Sequence, residues 1–149
     1  MIRVVIRAQV WPTEEFEKVR KAVENLFNVE SVKQEKVGGY TYLVAEGKGR
    51  KVLDKFREAL RRRQILDSAR SILQRGLSKG RLTFFLHKQA AVYGVPTFCV
   101  NDITSPLGPI EVIVEGDNLS DLIDWLAPST KPKGGRRARK KLTWKEEYR

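Results

Sequence analysis

Apolar and polar residues alternate from the start of the chain. Ile2, Val4 and Ile6 point one way and Arg3, Val5 and Arg7 the other, the period-2 pattern of a strand buried on one face. Pro12 and Thr13 end that strand. Thr13 is the expected N-cap of a following helix, because its hydroxyl can accept from a free backbone N–H, and Glu14 and Glu15 suit the positive end of the helix dipole. Phe16, Val19, Val23, Leu26 and Phe27 then recur at helical spacing, and the helix is expected to stop near Asn28. Residues 29–37 and 40–46 flank Gly38-Gly39, a pair that accepts the positive φ angles of a tight turn, so they are expected to form a β-hairpin.

Residues 51–75 read as helical, with an apolar stripe that changes face partway. Val52, Leu53, Phe56 and Leu60 share one side, whereas Ile65, Leu66, Ala69, Ile72 and Leu73 share another. One straight helix cannot bury both stripes against one surface, which predicts a break within residues 61–64. Gly76 suits a helix stop. Strands are expected at 81–87, 95–100 and 110–114, and a short helix at 119–126 ends before Pro128. Two hairpin-like stretches without regular β-α alternation predict an α+β fold of two layers, a mainly antiparallel sheet with helices packed on one face and the other face open. No repeat of 20 to 50 residues is present, which excludes solenoids and propellers.

The chain of 149 residues suits one domain. Its formal charge of +11 and pI near 10.0 favour phosphate-rich partners over acidic small substrates. The charge is unevenly spread: residues 1–127 carry 20 Lys and Arg against 16 Asp and Glu, residues 128–149 nine against two. The division expected is thus a folded domain over 1–127 and a basic tail over 128–149. Between Lys131 and Lys141 the tail has almost nothing apolar to bury, so disorder is expected there. No apolar run approaches the length of about 20 residues that spans a bilayer, and Arg3 interrupts what would be the apolar centre of a signal peptide, so no membrane partner and a cytoplasmic location are expected. Methionine is confined to Met1 and 32% of residues are charged, a balance that leans towards thermophiles.

Catalytic chemistry finds little to work with. Cys99 is the single cysteine and His87 the single histidine, so neither a disulfide nor a cysteine-based zinc cluster can be assembled within the chain. His87 lacks the carboxylates or second ligand that a general base or metal would need. No catalytic residue, metal or cofactor is assigned. The turn Gly47-Lys48-Gly49-Arg50-Lys51 lies before a helix and offers free N–H groups beside cations, a weak phosphate-site candidate that lacks the Walker A pattern. Ser78-Lys79-Gly80-Arg81 is a second basic turn of the same kind.

Binding chemistry is better supplied. Arg57, Arg61, Arg62, Arg63, Arg70 and Arg75 load the central helices with guanidinium groups, which match phosphate oxygens bidentately. Helical pairing competes: Asp67 stands four residues from Arg63 and three from Arg70, and Glu58 four from Arg62. The triplet Arg61-Arg62-Arg63 cannot be neutralised in full by local acids. In the tail, Arg136, Arg137, Arg139, Lys140 and Lys141 precede Trp144 and Tyr148, rings that stack on bases or dock on protein.

Three segments carry a resemblance: residues 60–70, His87-Lys88-Gln89-Ala90-Ala91, and Ser105-Pro106-Leu107-Gly108-Pro109-Ile110. Together, over residues 2–114, they resemble an uncharacterised archaeal protein family whose fold is similar to that of the ribosomal protein that binds 5S rRNA. The resemblance implies a two-layer α+β fold and RNA binding, and brings no catalytic residues with it. The leading reading is a non-enzymatic nucleic-acid-binding protein, most simply of RNA. Arg61, Arg62, Arg63, Arg70 and the tail cations would supply phosphate contacts, with Lys88 and Gln89 as selective ones. A small phosphate- or nucleotide-binding enzyme built on residues 47–51, and a subunit that forms a homodimer through the open sheet face, are the rival readings.

Because residues 128–149 hold few apolar side chains, deleting them is expected to shift the melting temperature by only a few degrees. A fall of more than about 10 °C in a circular dichroism melt would show instead that Trp144 or Tyr148 packs on the domain.

Overall fold

The computed structural model describes residues 2–99 and 108–129. The elements in chain order are β1 (Arg3–Val10), α1 (Phe16–Leu26), β2 (Ser31–Val37), β3 (Tyr40–Lys48), a 3-10 turn at Arg50–Leu53, α2 (Asp54–Arg63), α3 (Leu66–Arg75), β4 (Leu77–Ser78), β5 (Arg81–His87), α4 (Lys88–Val92), β6 (Phe98–Cys99), β7 (Pro109–Glu115) and α5 (Leu119–Leu126). The strands form one antiparallel sheet in the order β2-β3-β1-β7-β5-β4, and β6 also pairs with β5. This is the expected α+β architecture.

Alternation decides which face is covered. Val4, Ile6, Ala8 and Val10 of β1, Leu43 and Ala45 of β3, Ile110, Val112 and Val114 of β7, and Leu82, Phe84 and Leu86 of β5 are all buried and belong to one core. The helices supply the other half of that core: Val19, Ala22, Val23 and Leu26 from α1, Phe56, Ala59 and Leu60 from α2, Ala69 and Leu73 from α3, and Leu119, Leu122, Ile123 and Leu126 from α5. Each such Leu, Ile, Val or Phe contributes about 1.5–3 kcal/mol by leaving water. The opposite set, including Arg3, Val5 and Arg7 of β1 and Glu111, Ile113 and Glu115 of β7, lies on the face without helices and is half-buried or exposed.

Two backbone expectations are met for the stated reasons. Gly38 and Gly39 both take positive φ, 58° and 85°, and close the hairpin in which Val37 pairs with Tyr40. The long helical stretch breaks at Gln64, which adopts a left-handed conformation at φ 55° and ψ 42°, so α2 and α3 each turn their own apolar stripe to the core.

Elsewhere long-range contacts move the boundaries. Thr13 is not the N-cap of α1; Glu15 holds that position and the helix begins at Phe16. The cause is a closed turn, in which Glu14 N–H donates to Trp11 O at 2.8 Å and Trp11 N–H donates to Glu14 Oε1 at 3.0 Å. The strand expected at 95–100 is shorter, because Val95 N–H donates to Ala90 O and finishes the unforeseen α4, leaving Phe98 and Cys99 to pair with β5. Val100 and residues 130–149 of the tail, with Arg136, Arg137, Arg139, Lys140 and Lys141, lie outside the described residues.

Gly76 is required for closeness rather than for an unusual dihedral, since its φ is −84°. Its carbonyl accepts from Thr83 N–H at 3.0 Å, and a Cβ there would collide with the Thr83 carbonyl oxygen. Backbone cannot yield as a side chain can. Gly76→Ala is therefore expected to destabilise the protein by about 2 kcal/mol or more in urea titration, although alanine is the better helix former.

Candidate nucleic-acid interface

The arginines of the central helices divide into two groups. Arg57 donates through Nε to Trp125 O at 2.9 Å and lies over the Trp125 ring, with its guanidinium carbon 5.0 Å from the centroid; Arg50 also approaches that ring, at 5.3 Å. Arg70 pairs with Asp124 Oδ1 at 2.6 Å and donates to Ala127 O at 3.2 Å. These three hold α5, and two of them satisfy carbonyls at its C-terminal end that the helix itself leaves unpaired. Arg70, expected to contact phosphate, is thus committed to a structural contact, and its acid is Asp124 rather than the neighbouring Asp67.

Arg61, Arg62 and Arg63 form the other group. They occupy the last turn of α2, all three are exposed, and none joins an ion pair among the described residues. The pairing of Arg63 with Asp67 that the spacing suggests does not form, because the left-handed Gln64 places the two on separate helices. Glu58 and Arg62 share α2 but do not pair either. Three like charges stand on one helix end without an ion pair among the described residues, beside a cleft of about 310 Å³ whose lining joins Arg61 and Gln64 to Asp67 and Ser68 of α3.

Lys88 and Gln89, expected to act together, are separated by burial. Gln89 is exposed, but Lys88 is only 2% exposed. Its Nζ donates to Gln9 O at 2.6 Å and to Glu14 Oε1 at 3.0 Å, tying the start of α4 to the turn between β1 and α1. Desolvation pushes the ammonium below the ordinary lysine range, against the opposing pull of Glu14. Lys88 is a buried clamp and not a surface contact. Only its long-range partners, 74 and 79 residues away, reveal this.

The face without helices has a different electrostatic character. Arg3 meets Glu46 at 2.6 Å, Arg7 meets Glu111 at 3.7 Å, Arg81 meets Glu115 at 3.0 Å, and Lys33 lies within 4.0 Å of both Glu35 and Glu46. The Arg3 hydrogen bond holds the Glu46 carboxyl below its usual range. Cations there are matched by acids, so that face presents little net charge to a polyanion.

In the turn at 47–51 the first glycine is packed, whereas Lys48, Arg50 and Lys51 are exposed. A Cβ on Gly47 would come 2.5 Å from a Val52 methyl, and Gly49 N–H already donates to Ile2 O at 2.9 Å. Among the described residues no group of three His, Cys, Asp or Glu could hold a metal ion, and no helix is long and apolar enough to cross a membrane.

A family model described as RNA binding matches residues 3–115. The UPF0201 protein of Metallosphaera sedula is 45% identical over 130 residues, which cover 87% of this chain and 90% of that one. The chain belongs to this archaeal UPF0201 family. A second relative, the UPF0201 protein of Saccharolobus solfataricus, is 42% identical over the same share of each chain. The crystal structure of the UPF0201 protein of Methanococcus jannaschii superimposes with a TM-score of 0.72 at 34% identity, covering 89% of this chain and 96% of that one. The solved structures similar to this UPF0201 chain include others described as DUF54 proteins, such as one from Methanothermobacter thermautotrophicus with a TM-score of 0.55 at 20% identity, a likeness of fold alone.

Removing one partner of the buried Lys88–Glu14 pair leaves the other desolvated and alone. Lys88→Met is expected to cost about 3 kcal/mol in urea denaturation. Adding Glu14→Gln, which removes the orphaned charge but keeps an acceptor for Trp11 N–H, is expected to recover most of it.

Proposed function

We propose that the protein binds RNA without catalysing a reaction, and that the last turn of α2 together with the basic segment 128–149 forms its phosphate-contacting surface. One observation carries the reading: among the described residues Arg61, Arg62 and Arg63 are exposed and join no ion pair, whereas most of the other arginines meet acids or carbonyls. Unpaired guanidinium groups are weakly hydrated and need break no ion pair to meet a phosphate. The chain leaves α5 at Ala127, whose carbonyl Arg70 of α3 holds, and the nine cations of residues 128–149 follow that point in sequence. Membership of a family described as RNA binding supports RNA over other polyanions. The resemblance of residues 2–114 to an archaeal family whose fold is similar to that of a 5S-rRNA-binding protein favours a structured RNA, and we place the protein in the cytoplasm, where such RNA is found.

The two cationic elements differ in what they contribute. Removing the seven cations between Lys131 and Lys141 is expected to weaken binding to every RNA alike and to flatten the slope of log affinity against log salt, by about 0.7 for each single-strand phosphate that is no longer neutralised. Replacing Arg61, Arg62 and Arg63 by alanine in the full chain is expected to reduce the preference for structured over unstructured RNA. Fluorescence anisotropy at several salt concentrations measures both, with circular dichroism confirming the helices. A body lacking residues 128–149 that binds no RNA at low salt, together with an unchanged preference in the triple variant, would overturn the proposal.

A further inference from the structure

A groove of about 550 Å³ runs between the start of α1 and the β2–β3 hairpin, at the end of the sheet where β1 finishes and β3 begins. Its walls combine two kinds of side chain. Trp11, Phe16 and Tyr40 supply aromatic surface, and Gln34 and Thr41, opposite the core residues Leu43 and Val10 in the register, supply polar groups. Tyr40 is 55% exposed, a large ring left in solvent where an isolated fold would gain by burying it. The side-chain amide of Gln34 makes no hydrogen bond among the described residues, and neither does the Thr41 hydroxyl. Lys36 follows Gln34 on the same side of β2, pairs across the hairpin with Thr41, is exposed and joins no ion pair among the described residues. The acid within the groove, Glu14, is already engaged by Lys88 and Trp11 N–H.

The geometry points to this groove as the seat of an unpaired nucleobase of the bound RNA, an inference that rests on the reading of the protein as an RNA binder. A base presents an apolar face and a polar edge. Exposed rings stack on the face whichever base is present, while an amide, which carries both a donor and an acceptor, meets the edge. The groove lies within the usual volume of small-ligand sites, and Lys36 at its rim is placed for the phosphate of the same nucleotide. A negatively charged small ligand fits less well, since the groove holds a carboxylate. The surface is distinct from the arginine turn of α2, so the two sites are separable: one contacts the phosphates of structured RNA and the other requires a base free of pairing.

The test uses the full-length protein with a labelled single-stranded RNA decamer and a duplex containing the same sequence, at one low salt concentration. Tyr40→Ala and, separately, Gln34→Ala are made at exposed positions on the hairpin, where the fold tolerates truncation. Each is expected to weaken single-strand binding about fivefold or more while leaving duplex affinity unchanged. The Arg61, Arg62 and Arg63 triple alanine variant is expected to weaken binding of both, the duplex more than the single strand. Equal losses on the two RNAs, or none, in both hairpin variants would overturn the base site while leaving RNA binding in place. Wild-type protein that binds neither RNA would remove the functional reading and the base site with it.

Discussion

Phe56 is the fixed point of the structure. Its ring stacks between Phe27, at 5.3 Å, and Phe84 of β5, at 5.2 Å, and Phe98 of β6 meets it edge-on at 6.0 Å. One side chain therefore joins the end of α1, the axis of α2 and the far half of the sheet. Aromatic rings bury large areas and accept few relative orientations, so the stack fixes α2 in rotation as well as in position. With Phe56 pointing inward, Leu60 follows it one turn later into the core, and the helix must end with Arg61, Arg62 and Arg63 outside. The electrostatic surface of the protein is thus a consequence of its hydrophobic packing.

The same economy governs the rest of the charge. A net charge of +11 would repel itself if it were spread evenly, yet the folded body neutralises much of its share through pairs across the sheet and through carbonyls of α5. Arg57 and Arg70 are held by interactions that serve the fold, and removing either would free the end of α5 before it affected any ligand. Among the described residues, the three consecutive arginines at the end of α2 form the densest run of cations without an ion pair. Such concentration raises local potential without adding charge, and a polyanion feels the potential.

Much of this organisation is written in local sequence. The break at Gln64 follows from two apolar stripes on different faces, the hairpin from Gly38-Gly39, and the one-sided sheet from alternation in β1, β5 and β7. Roles that depend on partners distant in sequence were not legible. Lys88 looks like any strand-end cation until the fold brings Glu14 and Gln9 to it, and Arg70 has a plausible acid at Asp67 until α5 offers Asp124. Thr13 has the chemistry of an N-cap, but the turn closed by Glu14 decides where α1 begins. The groove beside Tyr40 gave no local signal, because its walls come from three separate stretches of chain and its polar side chains are unremarkable in any one of them.

The exposure of β2 has a consequence for evolution as much as for binding. From Lys33 to Val37 every residue is exposed on both faces, and Val32 alone leans on the core, so burial barely distinguishes one alignment of this strand from the next. Its register is held chiefly by the two-glycine turn. A single inserted residue at that turn would exchange the odd and even sets of β2, taking Gln34 and Lys36 off their face and presenting Lys33 and Glu35 instead, with little disturbance to the packed interior. The edge of the sheet is in this sense a dial: descendants of this chain can vary what it displays by changing the length of one short loop, while selection on stability scarcely notices.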